Sequence, residues 1–145
     1  MGDKQNIPAG IVIVAHADYG SAVLRTAEFI VGPISDCCDV SIDVSQDVNE
    51  TMQRIKDAVQ RLDKGNGVII LTDMFGGTPT NLALSLLSTT VEVVTGVNVP
   101  MMLKVVSSRN LPVKELAQKA GEAGKSGIVD AGAMLKSKSK QGCRI

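Results

Sequence analysis

The sequence predicts an α/β domain: one open, doubly wound, mainly parallel sheet with helices on both faces. Three observations predict it. Gly10–Ala15 (Gly-Ile-Val-Ile-Val-Ala) and Val68–Leu71 (Val-Ile-Ile-Leu) are continuous apolar runs, as in strands buried on both faces. Each strand candidate is followed by a stretch with apolar residues at helical spacing. The connections are short and carry Gly or Pro, which suits crossovers between parallel strands.

The elements follow in order. After the first strand, Ser21–Val31 places Val23, Leu24, Ala27, Ile30 and Val31 on a helical stripe, and Gly32-Pro33 ends it. Val40–Val44 alternates strictly, which marks an edge strand or one with a wet face. Asp47 and Glu50 form a capping box for a helix carrying Val48, Met52, Ile55, Val59 and Leu62, closed by Gly65 and Gly67. Val68–Leu71 leads into the loop Thr72–Asn81, and a helix starts near Thr80 and runs through Leu82, Leu84, Leu86 and Leu87. Val91–Val94 is a fourth strand. Met101–Val106 and Pro112–Ala123 are helices, the latter turning Val113, Leu116, Ala117 and Ala120 inward. Ile128-Val129 is a short last strand. Residues 1–9 are polar and read as a flexible segment, residues 10–135 as the domain, and residues 136–145 as a flexible basic tail without periodicity.

Composition excludes several functions. Fifteen basic residues balance fifteen acidic ones, so no basic footprint for nucleic acid stands out. Aromatics are 2% of the chain, too few for base-stacking platforms. No apolar run reaches the ~20 residues of a membrane helix, and the N-terminus lacks the apolar core of a secretory signal. The cysteines are Cys37, Cys38 and Cys143, an odd number without zinc spacing. The expectation is a reduced, cytoplasmic protein that needs no metal and no cofactor.

In such folds ligands bind at the carboxyl ends of strands, where the strand order reverses. The first and third strands end at His16, the single histidine, and at Asp73. Alone, His16 suits a strand-end cap and Asp73 a helix cap or a solvated loop acid. Together they suit a nucleophile and its orienting acid. A carboxylate that accepts from one ring nitrogen fixes the tautomer and leaves the other nitrogen's lone pair to attack. It also stabilises the positive ring that forms. Gly76-Gly77-Thr78-Pro79 fits a tight turn, or an anion cradle of glycine amides and the Thr78 hydroxyl before a helix opened by Pro79. It is not a Walker loop, and the first strand has no Gly-x-Gly-x-x-Gly after it. The set suits phosphoryl transfer through a histidine better than hydrolysis or hydride transfer.

These residues resemble a known family, the mannose-type enzyme IIA component of the phosphoenolpyruvate-dependent sugar phosphotransferase system (PTS). The resemblance spans about Ile11 to Val129. It rests on Ile-Val-Ile-Val-Ala-His16, Thr26-Ala27-Glu28, Thr72-Asp-Met-Phe-Gly-Gly-Thr-Pro-Thr-Asn81 and Gly96-Val-Asn-Val-Pro-Met101. It implies that His16 is phosphorylated on Nε2, that Asp73 bonds the opposite nitrogen, and that Gly76, Gly77 and Thr78 lie beside the phosphoryl group. It implies HPr as donor and a separate IIB component as acceptor, with the membrane reached only through the IIC/IID permease. It also implies a homodimer whose last strand, here Ile128-Val129, is exchanged and antiparallel. Such a histidine must meet two partners in turn, so Met74 and Phe75 are candidates for an apolar rim, or for plain loop packing. Arg109 is a candidate contact for an acidic partner, or a solvated surface arginine. The family often has Gly after the active histidine, where this chain has Ala17.

The same histidine chemistry also suits the phosphotransfer subunit of a dihydroxyacetone kinase, and a regulatory phosphohistidine module without sugar transport. A response-regulator receiver with Asp73 as acceptor predicts paired acids after the first strand, where Ala15-His16-Ala17 stands instead.

Overall fold

The structure is a computed structural model that describes residues 7–140. Its parallel sheet has the order β2-β1-β3-β4, built from β1 (Gly10–His16), β2 (Cys37–Ile42), β3 (Val68–Thr72) and β4 (Val91–Thr95). The chain steps from β1 to β2 on one side and then crosses to β3 on the other. The strand order therefore reverses between β1 and β3, and the crevice there opens at their carboxyl ends.

Five helices cover the sheet: α1 (Tyr19–Val31), α2 (Val48–Leu62), α3 (Thr78–Leu84), α4 (Val99–Ser107) and α5 (Val113–Ser126); a sixth, α6 (Ala131–Lys140), follows with its described side chains exposed. The central strands show why both faces must be covered. Ile11, Ile13, Ala15, Ile69 and Leu71 point into one core with α1, α4 and α5. Val12, Val14, Val68 and Ile70 point into the other with α2 and α3. Successive strand residues alternate faces, so an unbroken apolar run feeds two cores at once.

Side chains cap the starts of α2 and α4. The Asp47 carboxylate accepts from the Asn49 amide at 2.8 Å to cap α2, while Glu50 adds only its charge to the first turn. The Asn98 side chain accepts from the Met101 amide at 3.0 Å to cap α4. Gly32 stops α1 at φ 88°.

Several expectations need correction. β2 ends at Ile42, and Val44 is exposed in the loop beyond it. Of the α1 stripe, Val23 and Ala27 are buried, whereas Ile30 and Val31 face outward beside an exposed Phe29. Val48 of α2 is exposed too. Leu86 and Leu87 lie beyond the end of α3. Ile128-Val129 forms no strand within the described residues; both side chains are exposed after α5. Lys136–Lys140 continues a helix begun at Ala131, so that part of the expected irregular tail is regular; residues 141–145 lie outside the described residues. At the other end, Ala9 is fully buried in the first core, so the expected flexible segment does not reach the strand; residues 1–6 lie outside the described residues.

Arg109 is the largest departure. It is 7% exposed and lies by the amino ends of the strands. Its Nε and Nη2 donate to the Ala9 carbonyl at 3.0 and 2.8 Å, Nη1 to Ser35 O at 2.6 Å, and Nη2 also to Asp36 O at 2.9 Å. Four of its five N–H donors are spent on three carbonyls and the side chain is buried, so it is not presented to an acidic partner. It is a tie between segments, at the opposite end of β1 from His16, about 20 Å away at the usual rise of a strand.

Candidate functional site

His16 is the last residue of β1 and Asp73 the first residue after β3, so the parallel pairing of these strands carries both to one edge of the sheet. Their side chains meet. His16 Nδ1 lies 2.7 Å from Asp73 Oδ2, and the His16 backbone amide donates to the same oxygen at 2.9 Å. The other oxygen, Oδ1, accepts the Met74 amide at 2.9 Å. Partial burial pushes the Asp73 carboxyl up. The His16 amide and ring and the Met74 amide more than offset this, and hold it below the ordinary carboxylate range. The carboxylate is therefore ionised near neutrality, and Nδ1 is the ring nitrogen that carries the proton. Nε2 is left with its lone pair and makes no hydrogen bond among the described residues. The His16 side chain is 42% exposed against 15% for Asp73, so the ring is reachable and its orienting acid is sheltered.

The loop after Asp73 packs its glycine corner on the ring. A Cβ on Gly77 would stand 3.1 Å from His16 Cε1, so the absence of a side chain there sets how closely the loop approaches. Gly76 turns the chain at φ 86°, a left-handed conformation that other residues enter at a cost. Thr78 opens α3 and lines, together with His16, a cavity of about 150 Å³. Met74 and Phe75 are 56% and 74% exposed, which makes them available to a partner.

Ala17, where the related pattern has glycine, adopts φ 50°. Its amide donates to Ile42 O at 3.2 Å, and the Ser41 hydroxyl donates to its carbonyl at 2.5 Å. The methyl is accommodated in a left-handed turn that β2 holds from both sides, and His16 keeps its bonds to Asp73.

The sequence reading missed the other wall of the site. Ile42, Asp43, Val44, Gln46, Val48, Thr51 and Leu82 line the cavity beside His16. The alternation of Val40, Ile42 and Val44 looks like a longer strand, which concealed the loop. A signal was present in Asp43-Val44-Ser45-Gln46-Asp47, a polar stretch around one exposed valine. Tyr19 was missed as well; its hydroxyl donates to Val97 O at 2.6 Å and links the start of α1 to the loop after β4. Among the described residues no group of three or more potential metal ligands occurs, and no helix is long and apolar enough to cross a membrane.

The chain is similar to known proteins of one family. Residues 10–120 match the EIIA-man family model, described as the PTS system fructose IIA component. The mannose-specific EIIAB component of Escherichia coli K12 is 28% identical over 122 residues, covering 81% of this chain and 38% of that protein. The chain thus spans about two-fifths of that relative's length. The fructose-specific EIIA component of Bacillus subtilis is 28% identical over 109 residues, covering 73% of this chain and 75% of that protein. The crystal structure of an EIIA component from Streptococcus agalactiae superposes with a TM-score of 0.77 at 27% identity, over 86% of this chain and 98% of that one. The family match covers most of the domain, including both strand ends that form the site, and the chain belongs to the mannose-type IIA family of the phosphotransferase system.

Proposed function

We propose that the chain is a phosphocarrier that accepts a phosphoryl group from HPr on His16 Nε2 and passes it to a IIB component during sugar uptake and phosphorylation. One observation carries the proposal: Asp73 engages Nδ1 at 2.7 Å, which leaves Nε2 as the free nucleophile on a half-exposed ring. In the forward step the Nε2 lone pair forms a bond to phosphorus while the bond to the donor's phosphohistidine nitrogen breaks. The His16 ring then carries positive charge beside an ionised Asp73. The second step reverses these roles toward the acceptor. Little covalent chemistry is left to the protein, whose contribution is alignment and charge stabilisation.

In this reading Gly76, Gly77 and Thr78 lie beside the phosphoryl group, and Met74 and Phe75 form an apolar rim for HPr and IIB. Contact with the membrane is indirect, through the IIC/IID permease. The chain works as a cytoplasmic homodimer. The exposure of Ile128 and Val129 and the outer edge of β4, unpaired among the described residues, support exchange of that segment onto a second copy's sheet.

Incubation with phosphoenolpyruvate, the first enzyme of the system and HPr tests the proposal. One acid-labile, alkali-stable phosphate per chain is expected, absent from His16→Ala and transferred to a IIB component on its addition. Label that survives His16→Ala, or that resists acid, refutes it.

A further inference from the structure

Behind the Asp73–Gly77 loop, three threonines from three elements converge. Thr72 closes β3 and Thr80 lies in α3; these two are 0% and 1% exposed, and Thr95 closes β4. Thr80 Oγ1 lies 2.6 Å from the Met74 carbonyl, 2.6 Å from Thr72 Oγ1 and 3.5 Å from Thr95 Oγ1. The direction of this chain is fixed by chemistry. A carbonyl only accepts, so the single Thr80 proton goes to Met74 O, and the Thr72 hydroxyl donates in turn to Thr80 Oγ1.

Ile70, two residues before Thr72 in β3, and Ala83, three residues after Thr80 in α3, are buried in the second core. Valine would fill either buried position with nearly the same volume and no desolvation cost. A buried hydroxyl chain is specific only in where it points, and it points at the loop. Met74 is gripped on both sides: its amide donates to Asp73 Oδ1 at 2.9 Å and its carbonyl accepts from Thr80. Met74, Phe75 and Gly76 are otherwise exposed, with little packing to hold them.

We propose that Thr80 is a positioning residue for phosphorylation of His16: its hydroxyl, held by Thr72, fixes Met74 and through it sets the Asp73 carboxylate against the imidazole. This rests on the phosphocarrier reading. Thr80 makes no hydrogen bond to the ring; it acts through Met74.

The test compares Thr80→Val with Thr80→Ser in two measurements: single-turnover phosphorylation by phosphorylated HPr, and titration of the Asp73 carboxyl by carbon NMR. Thr80→Val is expected to slow phosphorylation roughly 10- to 100-fold, the scale of a small misplacement of reacting groups, and to shift the Asp73 titration upward. Thr80→Ser keeps the hydroxyl and restores both. Leu116→Ala, in the far core, is expected to lower the melting temperature without moving the Asp73 titration. If Thr80→Val does not fold, Thr80→Ala replaces it in the same comparison. The proposal is overturned if the valine variant keeps the wild-type rate and titration, if the rate falls while the titration stays, if serine fails to rescue, or if Leu116→Ala moves the titration equally. Failure of wild-type His16 to take phosphate overturns the phosphocarrier reading instead, and the titration series still decides whether Thr80 places Asp73.

Discussion

Asp73 Oδ2 takes two bonds from one residue: the His16 ring through Nδ1 at 2.7 Å and the His16 backbone amide at 2.9 Å. The amide anchors the carboxylate to the end of β1, so the oxygen that orients the ring moves with the ring's own backbone. Asp73→Asn is nearly the same shape but carries no charge to balance the imidazolium. Phosphoryl transfer from HPr, measured by rapid quench, is expected to fall about 100-fold or more, by analogy with loss of the orienting acid in a catalytic triad. A wild-type rate removes Asp73 from the mechanism.

The same bonds predict an acid-sensitive stability. The folded state holds the Asp73 carboxyl below its ordinary value, against a partial burial that pushes it up. The contribution is therefore complete above the unfolded carboxyl's pKa of about 3.9. It is lost as pH falls from there through the lower folded value. Urea midpoints measured from pH 6 downward are expected to fall less steeply for Asp73→Asn than for wild type in this window.

Gly77→Ala isolates steric pressure on the ring. The backbone there has φ −87°, which alanine adopts freely, so the added methyl acts through its 3.1 Å approach to His16 Cε1. The ring must yield by a few tenths of an ångström against its short bond to Asp73. Stability is expected to change by less than about 1 kcal/mol, while the phosphorylation rate falls roughly tenfold. Equal wild-type rates would show that the contact has slack.

Ala17→Gly reports on the strain beside the site. Alanine at φ 50° costs about 1 kcal/mol or more, and glycine gives back roughly 0.5–1 kcal/mol through its freer unfolded chain. A gain of up to about 1 kcal/mol in unfolding free energy is expected by urea titration. A loss of more than that would mean the methyl contributes packing.

Cys37 lies in β2 against the Arg109 tie. Burial pushes its thiol up to about 12, with the Arg109 charge pulling the other way. Folding thus favours the protonated thiol. This contribution is complete below the unfolded thiol's pKa of about 8.5 and declines as pH rises from there toward 12. Cys37→Ala is expected to flatten the alkaline limb of the stability profile. In the native protein a thiol reagent is expected to label Cys37 far more slowly than after unfolding.

The meeting of His16 and Asp73 was legible because it follows from topology. Two buried parallel strands with the order reversed between them must bring their carboxyl ends together, whatever the loops do. The exposure of Met74 and Phe75 was legible for a related reason: apolar residues in a short polar loop at a sheet edge have little to pack against. Arg109 was not legible. Ser107-Ser108-Arg109-Asn110 reads as a polar surface turn, and its acceptors are backbone carbonyls 73 to 100 residues away, which leave no trace in side-chain pattern. The hydroxyl chain from Thr72 to Thr80 was hidden for the same reason, since its terminus is the Met74 carbonyl. The Val44–Val48 wall was misread because a strand's alternation does not say where pairing with β1 stops.

The match to the family begins at residue 10, whereas the Arg109 guanidinium donates two of its bonds to the carbonyl of Ala9. Trimming the chain to the matched segment would strip an acceptor from an almost fully enclosed cation and unmoor the lead-in to the first strand. The physical unit is thus larger than the recognisable one, and anyone excising it should keep the lead-in from Ile7 onward.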